Sequence, residues 1–214
     1  MQEYEIEFYD KADGSEPAKE FILSLDKKMQ AKVLRTVALL REEGPFLREP
    51  YSKALDDGIF EIRTKFGSDI TRVLYFFVVG KKVILTNGFI KKTQKTPASE
   101  ITLAKQYRAD YLCPKGEFQM TNFNDFLNEQ MKDPEFKAEW DALDPEFSVI
   151  EAMLKARKES GLTQKQLSER TGIAQTDISK LERGNANPSL RTLQRLAAGM
   201  GMKVKIEFVP ASAK

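Results

Sequence analysis

The sequence predicts an α+β protein, with an antiparallel sheet that carries helices on one face, followed by an all-α domain with a short C-terminal strand. Three observations lead to this class. Apolar runs of strand length, separated by glycine turns, fill the N-terminal half. A stretch of helical periodicity precedes most of them, and capped helical segments fill the C-terminal third. Hydrophobic residues make up 41% of the chain, which is enough for packed cores.

The N-terminal elements follow from periodicity and punctuation. The first strand is predicted from the alternation of QEYEIEFYD, and a helical hairpin from apolar residues at helical spacing, with Asp26 as a cap between its helices. Glycines at 67 and 80 mark hairpin turns between later strands. The predicted order is β-α-α-β-β-β-α, in the ranges 2–10, 15–44 (both helices), 58–66, 71–79, 81–90 and 97–112.

The C-terminal elements are predicted from capping signals. Residues 1–112 form the first predicted domain and 113–119 a linker. An acidic helical arm (120–147) follows, broken by Pro134 and Pro145. The last predicted domain (148–214) has helices starting at the capping boxes of Ser148 and Thr163, and KVKIEFVP (203–210) predicts its closing strand.

Composition excludes several classes of function. The chain has no histidine, so it cannot use histidine general acid–base catalysis or the usual histidine metal sites, and we predict neither a cofactor nor a metal. Cys113 is the only cysteine, which fits a reducing cytoplasm. No stretch approaches the roughly 20 apolar residues of a membrane span. The acidic, alternating N-terminus does not resemble a secretory signal.

Charge is unevenly distributed along the chain. Residues 1–113 hold 19 basic and 17 acidic side chains, residues 114–149 hold 3 and 9, and residues 150–214 hold 12 and 6, which gives the net charge of +2. An acidic segment therefore separates two neutral-to-basic parts. This pattern favours nucleic-acid contacts together with an acidic piece that is able to cover a basic surface.

The C-terminal motif LTQKQLSERTGIAQTDISKLERGNANPSLRTLQRLAAGMG (162–201) resembles the Xre/Cro-type helix-turn-helix family. Gly172 permits the tight turn, and the apolar positions of the next helix leave a polar face outward, where a recognition helix contacts base edges. The resemblance implies operator DNA as a partner and a dimer as the binding form. The DNA-binding candidates are Gln175, Thr176, Ser179 and Lys180 on that face, with Gln164 and Arg183 on phosphates by family analogy.

The N-terminal motif GIFEIRTKF…TRVLYFFVVGKKVILTNGFIKKTQKTP resembles the RelE/ParE superfamily of toxins, in its HigB-like, phage-derived branch. The resemblance implies ribosome-dependent endonucleolytic cleavage of messenger RNA, with the ribosome and messenger as partners. Many relatives carry histidine where this chain has Asn87, which cannot titrate.

Basic residues on the predicted strands are the catalytic candidates. Arg63 points away from the face of Phe60 and Ile62, so an antiparallel sheet could gather it with Arg72 and Lys91. Fixed cations would stabilise a phosphorane, and a lysine crowded by cations could act as base or acid near neutral pH. The alternative is that the arginines simply pair with Glu61 or Asp69. The full candidate set is Arg63, Arg72, Lys91, Lys92 and Lys53.

A HigB-like part followed by a HigA-like part predicts a type II toxin–antitoxin pair in one chain, natural or joined, in which the acidic arm resembles the start of such antitoxins. The antitoxin part is expected to inhibit the nuclease by self-association and to repress its own promoter. The alternatives are a non-enzymatic repressor with a degenerate toxin fold, and a ParE-type gyrase poison. Growth arrest by the N-terminal part would separate the enzyme from the repressor.

Overall fold

The computed structural model of the chain describes residues 3–92, 95–113, 120–182, 184 and 186–207. The α+β class is confirmed. The chain divides into two compact units, which we call unit 1 (1–144) and unit 2 (145–214). No helix among the described residues is both long and apolar enough to span a bilayer.

Unit 1 is built on a five-stranded sheet in the order β1-β5-β4-β3-β2. The prediction of a purely antiparallel sheet was wrong, because β1 pairs in parallel with β5 while the other neighbours are antiparallel. After β1 the helical hairpin carries the chain across the sheet to the opposite edge, where β2 lies. The following strands are then added in turn back towards β1, so that β5, the last of them, pairs with β1. A short strand, β2, was also missed. The strands are β1 (Glu5–Phe8), β2 (Ser52–Ala54), β3 (Ile59–Phe66), β4 (Asp69–Val78) and β5 (Lys82–Ile90).

The helices of unit 1 cover both faces of the sheet, so the prediction that they share one face was wrong. The hairpin packs on one side, where the absent side chain of Gly88 makes room for Phe21: a Cβ there would clash with the ring. Ala104 packs on the other side, against Leu74 and Phe76. Consecutive residues 71–76 of β4 are all buried, and such a strand needs a layer on each face. The helices are α1 (Pro17–Leu23), α2 (Lys27–Glu43, capped by Asp26 as predicted) and α3 (Ala98–Leu112).

The acidic arm is helical, as its spacing predicts, and its residues 120–144 belong to unit 1. It forms α4 (Phe123–Gln130) and α5 (Pro134–Ala142), and Asp133 caps the second of these with Pro134 in its first turn. Phe126 and Phe136 are buried against the rest of the unit. The arm therefore packs as an integral part of the fold of unit 1.

Unit 2 is a small helical domain. Its helices are α6 (Asp144–Glu159), α7 (Gln164–Thr171), α8 (Gln175–Glu182) and α9 (Leu190–Gly199). The Thr163 capping box is present, and Gly172 takes the left-handed conformation that ends α7. The prediction that this helix begins at Ser148 was wrong: α6 begins before it, because Pro145 fits a first helical turn. Of the predicted closing strand 203–210, residues 203–207 are not in a strand, and residues 208–210 lie outside the described residues.

Candidate functional site

The predicted basic residues converge around a buried acid. Arg63 and Arg72 are directly opposite in the β3–β4 register, and the Nε atoms of both approach Glu61 Oε1, at 3.5 Å and 3.3 Å. Glu61 has 2% of its surface exposed. Both arginines therefore form ion pairs with Glu61, as the alternative interpretation of the sequence predicted.

Two more candidates lie beside these arginines. Lys53 is the register partner of Glu61 across β2 and β3, and its side chain is half exposed. The backbone N–H of Lys91 donates to the carbonyl of Ile70 at 2.7 Å, just before Arg72 on β4. We call Lys53, Arg63, Arg72 and Lys91, with Glu61 at their centre, the cationic cluster.

The members of the cationic cluster differ in access to solvent. The Arg63 side chain is 27% exposed, and its Nη1 donates to Glu49 at 2.8 Å. The Arg72 side chain is only 5% exposed, and its Nη1 donates to the carbonyl of Thr71. The Arg63 guanidinium is therefore accessible to a ligand, whereas the Arg72 guanidinium is shielded from direct contact. Lys92 is exposed and makes no polar contact with any residue that the structure describes.

Burial and neighbouring charges shift the pKa of Lys91. Burial lowers the pKa of Lys91 below the usual lysine value, and the positive charges of Arg72, Arg63 and Lys53 lower it further, while Glu61 raises it. Burial also lowers the pKa of Arg72, against the opposing effect of Glu61. Lys91 is thus closer than an ordinary lysine to supplying a neutral amine near physiological pH.

Three groups near the cationic cluster were missed as site residues. Glu61 is two residues from Arg63 on β3, so strand alternation places both side chains on the same face of the sheet and could have predicted their proximity. The hydroxyl of Thr96, just before α3, donates to Glu61 Oε2. Asn87 is buried, and its Nδ2 donates to Glu100 Oε2 at 2.8 Å. The amide of Asn87, which cannot titrate, therefore lies beside a carboxylate in the first turn of α3. Among the described residues, no group of acids and cysteine is arranged to hold a metal ion.

The arm contacts the opposite side of the sheet from the cationic cluster. Its first residues extend the free edge of β1, where Phe8 N donates to Thr121 O at 3.0 Å. Acidic and amide groups then meet cations of α2: Asp133 lies 2.6 Å from Lys27 Nζ, and Asn124 Oδ1 accepts from Arg41 Nη1.

The arm is also held by an arginine of α2. The Arg35 guanidinium lies over the Trp140 ring at 4.1 Å, and its Nη2 is 2.8 Å from Asp144 Oδ1. Cation–π contact and ion pairing thus act on the same side chain. The arm binds the hairpin face through charge complementarity around a buried aromatic core.

In unit 2, α8 presents the predicted polar face. Gln175, Thr176 and Lys180 are exposed, Ser179 is half-buried, and Lys180 Nζ pairs with Asp177 at 3.0 Å. Arg183 lies outside the described residues. The outward groups are amides, hydroxyls and an amine, which is the chemistry that reads base edges in a major groove.

A second buried acid organises unit 2. Glu182 is fully buried, with Arg157 Nε donating to its Oε1 at 2.8 Å and Gln164 Nε2 donating to its Oε2 at 2.6 Å. The predicted phosphate ligand Gln164 is therefore tied to the end of α8. This contact was missed in the sequence.

Two family models match separate parts of the chain. The model described as phage derived protein Gp49-like matches residues 20–109, and the model described as helix-turn-helix matches residues 153–205. The chain thus joins a Gp49-like part, which lies within unit 1, and a helix-turn-helix part, which lies within unit 2.

Curated relatives match parts of the chain. An HTH-type transcriptional regulator of Haemophilus influenzae, uncharacterized by its own description, is 30% identical over 94 residues, 44% of this chain and 90% of the relative. Antitoxin HigA1 of Mycobacterium tuberculosis is 28% identical over 74 residues, 35% of this chain and 50% of the antitoxin. The regulator y4dJ of Sinorhizobium fredii is 46% identical over 46 residues, 22% of this chain and 60% of that protein.

Proposed function

We propose, because the chain belongs to the family of helix-turn-helix-type transcriptional regulators and also carries a Gp49-like part, that it is a type II toxin–antitoxin pair in one polypeptide. The helix-turn-helix part binds the operator of its own gene. The Gp49-like part, of HigB type, is a messenger-RNA endoribonuclease that acts on the ribosome, and the HigA-like arm holds it inactive. The observation that carries the nuclease proposal is the convergence of four cations from separate strands and loops around Glu61.

The cationic cluster supports a specific chemistry. In the proposed reaction the 2′-oxygen forms a bond to its neighbouring phosphorus while the bond to the 5′-oxygen breaks, giving a 2′,3′-cyclic phosphate and a 5′-hydroxyl. The neutral amine of Lys91 takes the proton of the 2′-hydroxyl, and water protonates the departing oxygen. Arg63 contacts the phosphorane and Arg72 adds its positive field, which stabilises the charge that develops in the transition state.

The location of the arm supports inhibition by blocked docking. The arm covers α2 and the edge of β1, and the cationic cluster lies on the α3 side of the sheet. An inhibitor at this position acts by adding bulk and negative charge on the hairpin face, which prevents unit 1 from entering the anionic decoding region of a ribosome. Within the cationic cluster, Lys53 and Arg63 keep solvent-exposed side chains.

Release of the arm should activate the nuclease. Phe136 is fully buried between α5 and α2, and burial of such a side chain contributes roughly 1.5–3 kcal/mol. We therefore expect Phe136→Asp in the full chain to raise cleavage of translated messenger by on the order of tenfold or more, measured by mapping new 5′ ends on ribosome-bound RNA. The matched control is Lys137→Ala on the exposed side of α5, which should leave cleavage at the level of the unaltered chain.

The same experiment separates the competing functions. If neither the unaltered chain nor Phe136→Asp cuts messenger, the nuclease proposal fails and a non-enzymatic regulator is favoured, which the non-titrating Asn87 would suit. A supercoiling assay on the released chain tests the ParE-type alternative. Inhibition of gyrase without RNA cleavage would establish that function instead.

Operator binding is expected to depend on the outward face of α8. We expect Gln175→Ala in the full chain to weaken binding to the DNA upstream of its own gene by about 1–3 kcal/mol, the typical cost of a lost base contact. Titration against scrambled DNA of equal length, at the same salt concentration, is the control and should not change. A single α8 reads few base pairs, so we further propose that two copies bind adjacent half-sites. Equal losses on both DNAs would contradict base reading by Gln175.

A further inference from the structure

Glu61 is an ionisable residue that is almost completely buried. It is held by three elements: Arg63 on its own strand, Arg72 on β4, and the hydroxyl of Thr96 in the segment that leads into α3. Burying a carboxylate costs free energy of folding even when the carboxylate is paired. Well-packed apolar residues often stabilise a fold as much as a buried ion pair does. The presence of Glu61 therefore calls for a role beyond packing.

The contacts of Glu61 are divided between its two oxygens. Oε1 lies at ion-pair distance from the Nε atoms of both arginines, and Oε2 accepts a hydrogen bond from the Thr96 hydroxyl. The first oxygen fixes the two guanidiniums relative to each other, because both are held by the same atom. The second ties them to Thr96, which lies just before α3.

We propose that Glu61 is the positioning residue of the cationic cluster: its carboxylate locks Arg63 and Arg72 together, holds them to the entry of α3 through Thr96, and thereby sets the cluster to receive one RNA phosphate. The catalytic meaning of this role rests on the proposed nuclease function. The positioning itself is a property of unit 1 that can be measured without any RNA.

Glu61 also sets the ionisation of Lys91. The charges that act on Lys91 are Arg72, Arg63 and Lys53, which favour the neutral amine, and Glu61, which opposes them. Glu49 also pairs with Arg63 and Lys53, but at an exposed position and without an identified effect on Lys91. Loss of the Glu61 charge should therefore make Lys91 deprotonate at lower pH, and loss of the Glu49 charge should not.

The test compares Glu61→Gln with Glu49→Gln in the full chain. Acetic anhydride at trace level labels only neutral amines, and mass spectrometry of the peptide containing Lys91 gives the pH midpoint of its labelling. We expect this midpoint to move to lower pH in Glu61→Gln and to stay unchanged in Glu49→Gln. Identical midpoints in all three proteins would overturn the proposal.

A second variant covers the case in which Glu61→Gln does not fold. Thr96→Val keeps every charge and removes only the hydroxyl that donates to Oε2. The entry to α3 should loosen, so the Ile101 amide, which donates to Pro97 O, should exchange with deuterium at least about threefold faster than in the unaltered chain. Unchanged exchange would show that Thr96 anchors nothing.

Cleavage measurements then connect positioning to chemistry. In the Phe136→Asp background, Glu61→Gln should lower cleavage by on the order of tenfold and shift the rising limb of its pH profile downward, in parallel with the labelling. A lower rate without a shift would indicate a merely structural role and would overturn the proposal. If the Phe136→Asp chain itself does not cleave, the nuclease proposal fails, and the labelling result alone decides the positioning role.

Discussion

Replacing Arg72 by methionine is expected to lower the free energy of unfolding of unit 1 by about 3–5 kcal/mol and, in the Phe136→Asp background, to lower cleavage at least about a hundredfold. The first effect arises because Glu61 would keep its charge in a buried site and lose its β4 partner. The second arises because the field of Arg72 on the phosphorane, and on Lys91, would be lost. Few single substitutions outside the apolar core should be as severe.

The measurement can be confined to unit 1. Trp140 is the only tryptophan of the chain and lies in α5, so its fluorescence during urea unfolding reports on that unit. Lys53→Met is the matched control, since Lys53 is half exposed and its 3.9 Å pair with Glu49 should be worth less than about 1 kcal/mol. An Arg72→Met chain as stable as the unaltered one would show that Glu61 does not need this partner.

A compensating variant separates stability from chemistry. Arg72→Met combined with Glu61→Leu removes the stranded charge and should recover most of the lost stability, because apolar pairs of similar volume replace buried ion pairs well. Cleavage in the Phe136→Asp background should stay at the low level of Arg72→Met. Recovery of cleavage along with stability would mean that neither charge takes part in the reaction.

Strand parity predicted the location of the cationic cluster because it is a local property of the chain. Alternation alone puts Arg63 on the side of β3 away from Ile62, and the short turn at Gly67 fixes the β3–β4 register that sets Arg72 opposite to it. The burial of Glu61 was not predictable in the same way. It depends on α3 covering that face, whereas the sequence analysis expected every helix of the domain to lie on one face of the sheet.

The errors in the fold share one physical origin, which is pairing between distant segments. β1 is parallel to β5 because of the path of the hairpin, and nothing in QEYEIEFYD specifies a partner. β2 has only three residues, too few for alternation to show. The segment 203–207 alternates as a strand should, but a strand forms only where another strand accepts its backbone hydrogen bonds.

Replacing Arg157 by methionine is expected to have the corresponding effect in unit 2. Glu182 is fully buried where α8 ends, and Arg157 supplies its charged partner from α6. Without the arginine, the amide of Gln164 is the remaining donor among the described contacts, and an amide cannot neutralise a carboxylate. We expect a loss of about 3–5 kcal/mol, which is comparable to the whole stability of a small domain.

Circular dichroism should detect this loss as an early unfolding step, while Trp140 fluorescence stays at its native value, since every tryptophan and tyrosine of the chain precedes residue 145. Lys180→Met is the matched control: its pair with Asp177 is exposed on both sides and should contribute less than about 0.5 kcal/mol to folding. Operator binding should fail with folding in Arg157→Met and return in Arg157→Met with Glu182→Leu. If operator binding survives in the single variant, Glu182 does not hold α6, α7 and α8 together through its charge.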